Sequence, residues 1–92
     1  AYLVRRLSEI PEASGTLLDH CLITLGSGLG DGRVHDYNNL PVVTAGSLGG
    51  KIRTGNHQQF KGSVPLANLW LSVAQQAGIE IDRFADSTGT VG

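Results

Sequence analysis

Residues 20–46 read HCLITLGSGLGDGRVHDYNNLPVVTAG and join two apolar runs through a polar, glycine-rich loop. The runs at 22–25 and 40–45 are short, apolar at most successive positions, and each ends at a glycine. A continuous apolar run of this length is typical of a strand that is buried on both faces, as in a parallel sheet covered by helices. The stretch therefore predicts two short buried strands, with the polar loop between them.

Apolar residues at helical spacing precede this stretch. Residues 2–10 repeat apolar side chains at the spacing of one helix face, and Pro11 follows, where a helix interior cannot continue. The repeating side chains are Leu3, Leu7 and Ile10. We therefore expect an amphipathic helix over residues 2–10.

A second helical pattern lies near the end of the chain. Pro65 suits the first turn of a helix, an apolar stripe follows, and Gly78 stands where a C-terminal cap is expected. The stripe consists of Leu66, Leu69, Trp70, Val73 and Ala77. Residues 47–63 lack a clear period and are predicted to be an ordered loop or a small hairpin. The resulting order of helix, strand, loop, strand, excursion, helix and tail predicts an α/β fold.

Composition limits the classes of protein to which the chain belongs. The 92 residues suit one small domain or part of one. Because the sequence contains no methionine, we expect residues 1–92 to be a piece of a longer protein, either a single domain of it or a fragment of a larger α/β domain. The net charge of −1 gives no electrostatic footprint for nucleic acid, so we expect no nucleic-acid partner. No run reaches the roughly 18 apolar residues of a membrane span, so none is expected. The single cysteine, Cys21, is predicted to be a buried thiol.

Carboxylates and imidazoles in and after the loop form a candidate metal site. Asp31, His35 and Asp36, joined by His57 from the excursion, are ligand types that Zn²⁺, Mn²⁺ and Fe use. The alternative is that Asp31 and Asp36 cap turns through their own backbone, as aspartate does in glycine-rich loops. The residues alone leave both interpretations open.

Other polar residues suggest weaker possibilities. Ser27 follows the first strand, where a nucleophile could be exposed, but it lies in Gly-Ser-Gly and lacks the flanking pattern of a nucleophile elbow. The alternating glycines of the loop do not fit a dinucleotide-binding fingerprint. Asn38, Asn39 and Asn68 are expected to hold loop backbone in place, which is the ordinary role of buried amides.

Residues 17–27, LLDHCLITLGS, resemble the helix-to-strand approach of the alkaline phosphatase and sulfatase superfamily. Over nearly the whole chain, the sequence is more similar to the C-terminal part of a bacterial family of domains of unknown function that is usually placed near that superfamily. The matching segments are LLDH at 17–20, GSG at 26–28, DG at 31–32, HD at 35–36, NLPV at 39–42, AG at 45–46, PLANL at 65–69 and DSTG at 86–89.

This resemblance implies that the chain is the C-terminal portion of a doubly wound, alkaline-phosphatase-like α/β sheet with flanking helices. It also implies an exported protein, in the periplasm or outside the cell. The sequence departs from the superfamily pattern after the strand's serine, where Gly28 and Leu29 replace the metal-binding Asp and His. Asp36 aligns with the aspartate of a later Asp-His-Gly, but Tyr37 occupies the histidine position.

Two functions follow from the resemblance and the loop. In a metal-dependent hydrolase of phosphate or sulfate esters, a divalent ion would be the cofactor, and the remaining loop residues would contact the anionic substrate. The metal ligands would be Asp31, His35, Asp36 and His57, and the substrate-binding residues would be Ser27, Arg33 and Asn39. The alternative is a non-catalytic binding or structural module that keeps the fold without metals, so whether the protein is an enzyme stays open. The expected partners are the rest of the parent chain or further copies of this one.

Overall fold

The computed structural model describes residues 1–91 and separates into two compact units, Ala1–Thr54 and Gly55–Gly92. Residues 1–91 form a mixed α/β fold with two helices and two antiparallel sheets of two strands each. In chain order the elements are α1 (Tyr2–Glu9), β1 (Pro11–Glu12), β2 (Gly15–Thr16), a 3₁₀ turn (Leu18–His20), β3 (Ile23–Gly26), β4 (Val42–Ala45) and α2 (Leu66–Gln76). Within residues 1–91, neither helix has the length and apolar character that a membrane crossing requires.

The first helix confirms the prediction from its spacing. Helix α1 ends at Glu9, and Ile10 is extended, because Pro11 cannot continue a helix. Residues 11–16 then form a tight antiparallel hairpin in which Pro11 pairs with Thr16. The N–H of Leu17 donates to the carbonyl oxygen of Ile10 at 2.9 Å. This bond joins the residue that follows the hairpin to the residue that precedes it.

The strand pair β3–β4 corrects the prediction of parallel strands. Ile23 pairs with Ala45 and Gly26 pairs with Val42, so the two strands run antiparallel. Parallel pairing needs a crossover connection, usually a helix, whereas the 27–41 connection contains no helix and turns straight back. The observed sheet is therefore a hairpin with a long loop.

The prediction that these strands are buried is also wrong. None of residues 1–54 is buried, and Leu25 and Val43, which pair across the hairpin, are 73% and 65% exposed. Burying a strand on both faces requires a layer on each side of the sheet, and this two-stranded sheet leaves the loop end of its apolar face in solvent. Cys21 is half-buried rather than buried.

Gly46 ends β4 in a conformation that favours glycine. Its φ of +99° lies in the left-handed region, and a Cβ there would collide with the carbonyl oxygens of Cys21 and Leu18. The chain can therefore pass close to the 3₁₀ turn, where the N–H of Gly49 donates to the carbonyl oxygen of Asp19 at 2.8 Å. The hydroxyl of Ser47 donates to the same oxygen at 3.1 Å.

The second unit is built on α2, which confirms the predicted helix and its cap. Gly78 adopts a φ of +92°, and its N–H donates to the carbonyl oxygen of Gln75 at 3.0 Å. The N–H of Ile79 donates to the carbonyl oxygen of Ala74 at 3.0 Å. Together these two bonds make a Schellman motif, the usual helix end at a glycine.

The buried face of α2 is not the predicted apolar stripe. Ala67, Asn68 and Leu71 are buried, with Leu71 only 2% exposed. Four of the five stripe residues are half-buried, and the fifth, Ala77, is exposed. Three polar side chains on α2 bind backbone groups of the tail, defined as residues 79–91. These side chains are Asn68, Ser72 and Gln75, which bond to Thr88, Val91 and Ile81 respectively. The tail is therefore held to α2 by polar side chains of the helix.

Candidate functional site

The loop between β3 and β4, residues 27–41, contains six of the seven predicted site residues. At its base, the N–H of Ser27 donates to the carbonyl oxygen of Pro41 at 3.2 Å and extends the strand ladder by one step. Further out, Asp31 and Asp36 form an antiparallel bridge in which the N–H of Asp36 donates to the carbonyl oxygen of Asp31 at 3.0 Å. The N–H of Gly30 donates to the carbonyl oxygen of Asp36 at 2.6 Å. The loop thus folds back into a smaller hairpin over residues 31–36.

Three side chains in this loop close local turns. The Oγ of Ser27 accepts the N–H of Leu29 at 3.1 Å. Oδ1 of Asp31 accepts the N–H of Arg33 at 2.9 Å, and Oδ1 of Asp36 accepts the N–H of residue 38 at 3.0 Å. Each bond joins a side chain to the backbone two residues later, which is the pattern of Asx and serine turns. These turns are local, because each bond joins a short polar side chain to the backbone that directly follows it.

Asp31 also forms an ion pair with Arg33. Nη2 of Arg33 donates to Oδ2 of Asp31 at 3.0 Å, and Nε donates to Oδ1 at 3.3 Å. This side-chain contact, assisted by the backbone N–H of Arg33, lowers the pKa of Asp31, and the same contact raises the pKa of Arg33. Both side chains are solvent-exposed, so the pair adds little to stability.

Two residues of the loop adopt the left-handed conformation without being glycine. His35 has φ of +53° and Asn39 has φ of +55°, and both are exposed. Asparagine enters this region more readily than most residues, and histidine is also enriched there. Both residues occur where the loop reverses: His35 before the Asp31–Asp36 bridge closes, and Asn39 before the chain enters β4.

Three of the four predicted metal ligands lie on the loop of the first unit, and the fourth, His57, belongs to the second unit. Asp31 and Asp36 face each other through a backbone bridge, His35 is exposed beside Asp36, and His57 is exposed in the second unit. Across residues 1–91, no group of three or more His, Cys, Asp or Glu side chains is placed so that it could hold a metal ion. Turn capping accounts for both carboxylates of the predicted donor set.

The predicted substrate-binding residues are engaged locally. The hydroxyl of Ser27 donates to the carbonyl oxygen of Leu29 at 2.8 Å, in addition to accepting the N–H of the same residue. The guanidinium of Arg33 is paired with Asp31, and Asn39 occupies its left-handed turn position. An anion at Arg33 would therefore compete with an internal carboxylate for the same guanidinium.

An apolar depression at the loop end of the hairpin was not predicted from the sequence. It has a volume of about 220 Å³ and is open to solvent. Its lining consists of Leu25, Gly26, Ser27, Pro41 and Val43. The apolar runs at 22–25 and 40–45 are the sequence signal for this surface. They predict buried strands, however, and not an exposed apolar face on the β3–β4 hairpin.

Polar side chains of α2 hold the backbone of the tail. The role expected for Asn68, holding loop backbone, is confirmed by its bond to the N–H of Thr88 at 2.8 Å. Ser72 and Gln75 were missed, although they follow Asn68 at helical spacing of four and seven residues and so lie on one side of the helix. Comparison of the sequence with protein-family models and curated proteins, and of the fold with solved structures, finds no match.

Proposed function

We propose that this chain is a non-catalytic binding or structural module. One observation carries the proposal: the Ser27, Asp31 and Asp36 side chains each bond to backbone two residues later. In the hydrolase interpretation, the two aspartates would bind the metal ion and the serine would contact the ester. Because the bonds satisfy local backbone donors, the sequence of the loop has a structural explanation that requires no ligand.

The rival proposal is a metal-dependent hydrolase of phosphate or sulfate esters. It requires several metal-binding side chains at one divalent ion, and within residues 1–91 there is no group of three or more His, Cys, Asp or Glu side chains placed to hold one. It also requires Arg33 to leave an ion pair of 3.0 Å to reach the substrate. The binding or structural function needs neither rearrangement.

We further propose that the chain is the C-terminal portion of an alkaline-phosphatase-like α/β domain in an exported protein. In this proposal the remaining parent chain covers the apolar face of the β3–β4 hairpin. Support comes from the exposure of Leu25 and Val43 and from the absence of any buried residue in 1–54. A sheet of two strands is marginally stable by itself, and adjoining layers would supply the missing burial.

The test of the non-catalytic function is the metal content of the intact parent protein. The protein is expressed without a tag, purified without chelator, and analysed by elemental mass spectrometry. We expect no stoichiometric zinc, manganese, iron or calcium. The comparison uses a His35→Ala and Asp36→Ala double variant, with His20→Ala and Asp82→Ala as a control pair of exposed residues outside the loop.

The rival hydrolase makes the opposite prediction. About one or two equivalents of metal that fall in the loop variant and persist in the control pair would overturn the non-catalytic proposal. Metal that persists in both variants would assign the ion to another part of the parent protein and leave the loop in its structural role.

A further inference from the structure

We draw no further inference here: the strongest candidate, the open apolar depression at the loop end of the β3–β4 hairpin, belongs to the apolar face already described, and nothing in the structure shows what covers it.

Discussion

The carboxamide of Asn68 forms two hydrogen bonds with Thr88, which follows it by 20 residues in the chain. Oδ1 of Asn68 accepts the N–H of Thr88 at 2.8 Å, and Nδ2 donates to the hydroxyl oxygen of Thr88 at 3.2 Å. Asn68 is only 5% exposed, so its polar atoms depend on these partners rather than on water. The pair fixes where the tail meets α2.

Replacing Asn68 with alanine is expected to loosen the tail. The change removes the acceptor for the N–H of Thr88, an exposed residue, and the loss of a typical intramolecular hydrogen bond costs about 0.5–1.5 kcal/mol. Hydrogen exchange of the intact protein should therefore show faster exchange at Thr88 and a lower free energy of unfolding by that amount. Gln76→Ala, at an exposed position of the same helix, is the control and should change neither quantity. Equal exchange rates in the wild type and Asn68→Ala would contradict the assigned role.

Replacing Arg33 with alanine is expected to raise the pKa of Asp31. The Arg33 guanidinium and backbone N–H hold that pKa below its ordinary value of 3.8, and the substitution removes the larger of these two causes. NMR titration of the carboxyl carbons measures the pKa directly. Because both side chains are exposed, about 1 M salt should also shift the wild-type pKa toward its ordinary value.

The sign of the stability effect follows from the lowered pKa. The Asp31 carboxylate is favoured in the folded state, so its contribution is complete above the unfolded pKa and is lost as pH falls through the folded pKa. Any stability difference between the wild type and Arg33→Ala should therefore disappear in strong acid, below both values. Val34→Ala, in the same loop, is the control and should leave the Asp31 titration unchanged. A titration that is also unchanged in Arg33→Ala would contradict the ion pair.

Replacing Leu25 with alanine tests whether the parent chain covers the β3–β4 face. If the face is covered, the substitution removes buried apolar contacts and lowers the free energy of unfolding by about 2–5 kcal/mol. Urea unfolding of the intact parent protein measures this difference. Val34 is exposed to nearly the same degree and lies on the loop, so Val34→Ala is the control, with an expected change within about 0.5 kcal/mol.

The outcome separates the possible partners. A tolerated Leu25→Ala with a monomeric protein would contradict coverage by the parent chain. Destabilisation that depends on protein concentration would instead identify a second copy as the partner, because the stability of an associated state changes with concentration. Light scattering on the same samples provides the molecular mass.

The helices were predictable because their signals are local. Pro11 limits α1, and Gly78 ends α2 through the hydrogen bonds of a Schellman motif, so a few neighbouring residues determine each boundary. The direction of β3 and β4 was not predictable in this way. An apolar run shows that a strand is possible, but the partner and the burial of the strand depend on residues far away in the chain.

The candidate site also combines local features, which neighbouring residues indicate, with tertiary relationships, which they do not. The turns at Asp31 and Asp36 arise from residues two positions apart and were available from the sequence as the alternative to a metal site. A metal site requires donors from separate parts of the chain to converge, which is a tertiary relationship that spacing cannot establish. Residue types alone therefore name candidate polar groups and cannot decide which of them meet.

Asp36 allows the turn and the metal interpretations to be separated by two substitutions. Its Oδ1 accepts two hydrogen bonds from Asn38, one from the backbone N–H at 3.0 Å and one from the side-chain Nδ2 at 2.8 Å. Asp36→Asn keeps a side-chain oxygen that can accept the backbone N–H, whereas Asp36→Ala removes it. We expect hydrogen exchange at Asn38 to be close to wild type in Asp36→Asn and faster in Asp36→Ala. A metal ligand predicts a different pattern, because both substitutions remove the negative charge that favours a divalent ion. Equal disturbance of the loop by the two variants, together with loss of bound metal from both, would contradict the turn-capping role.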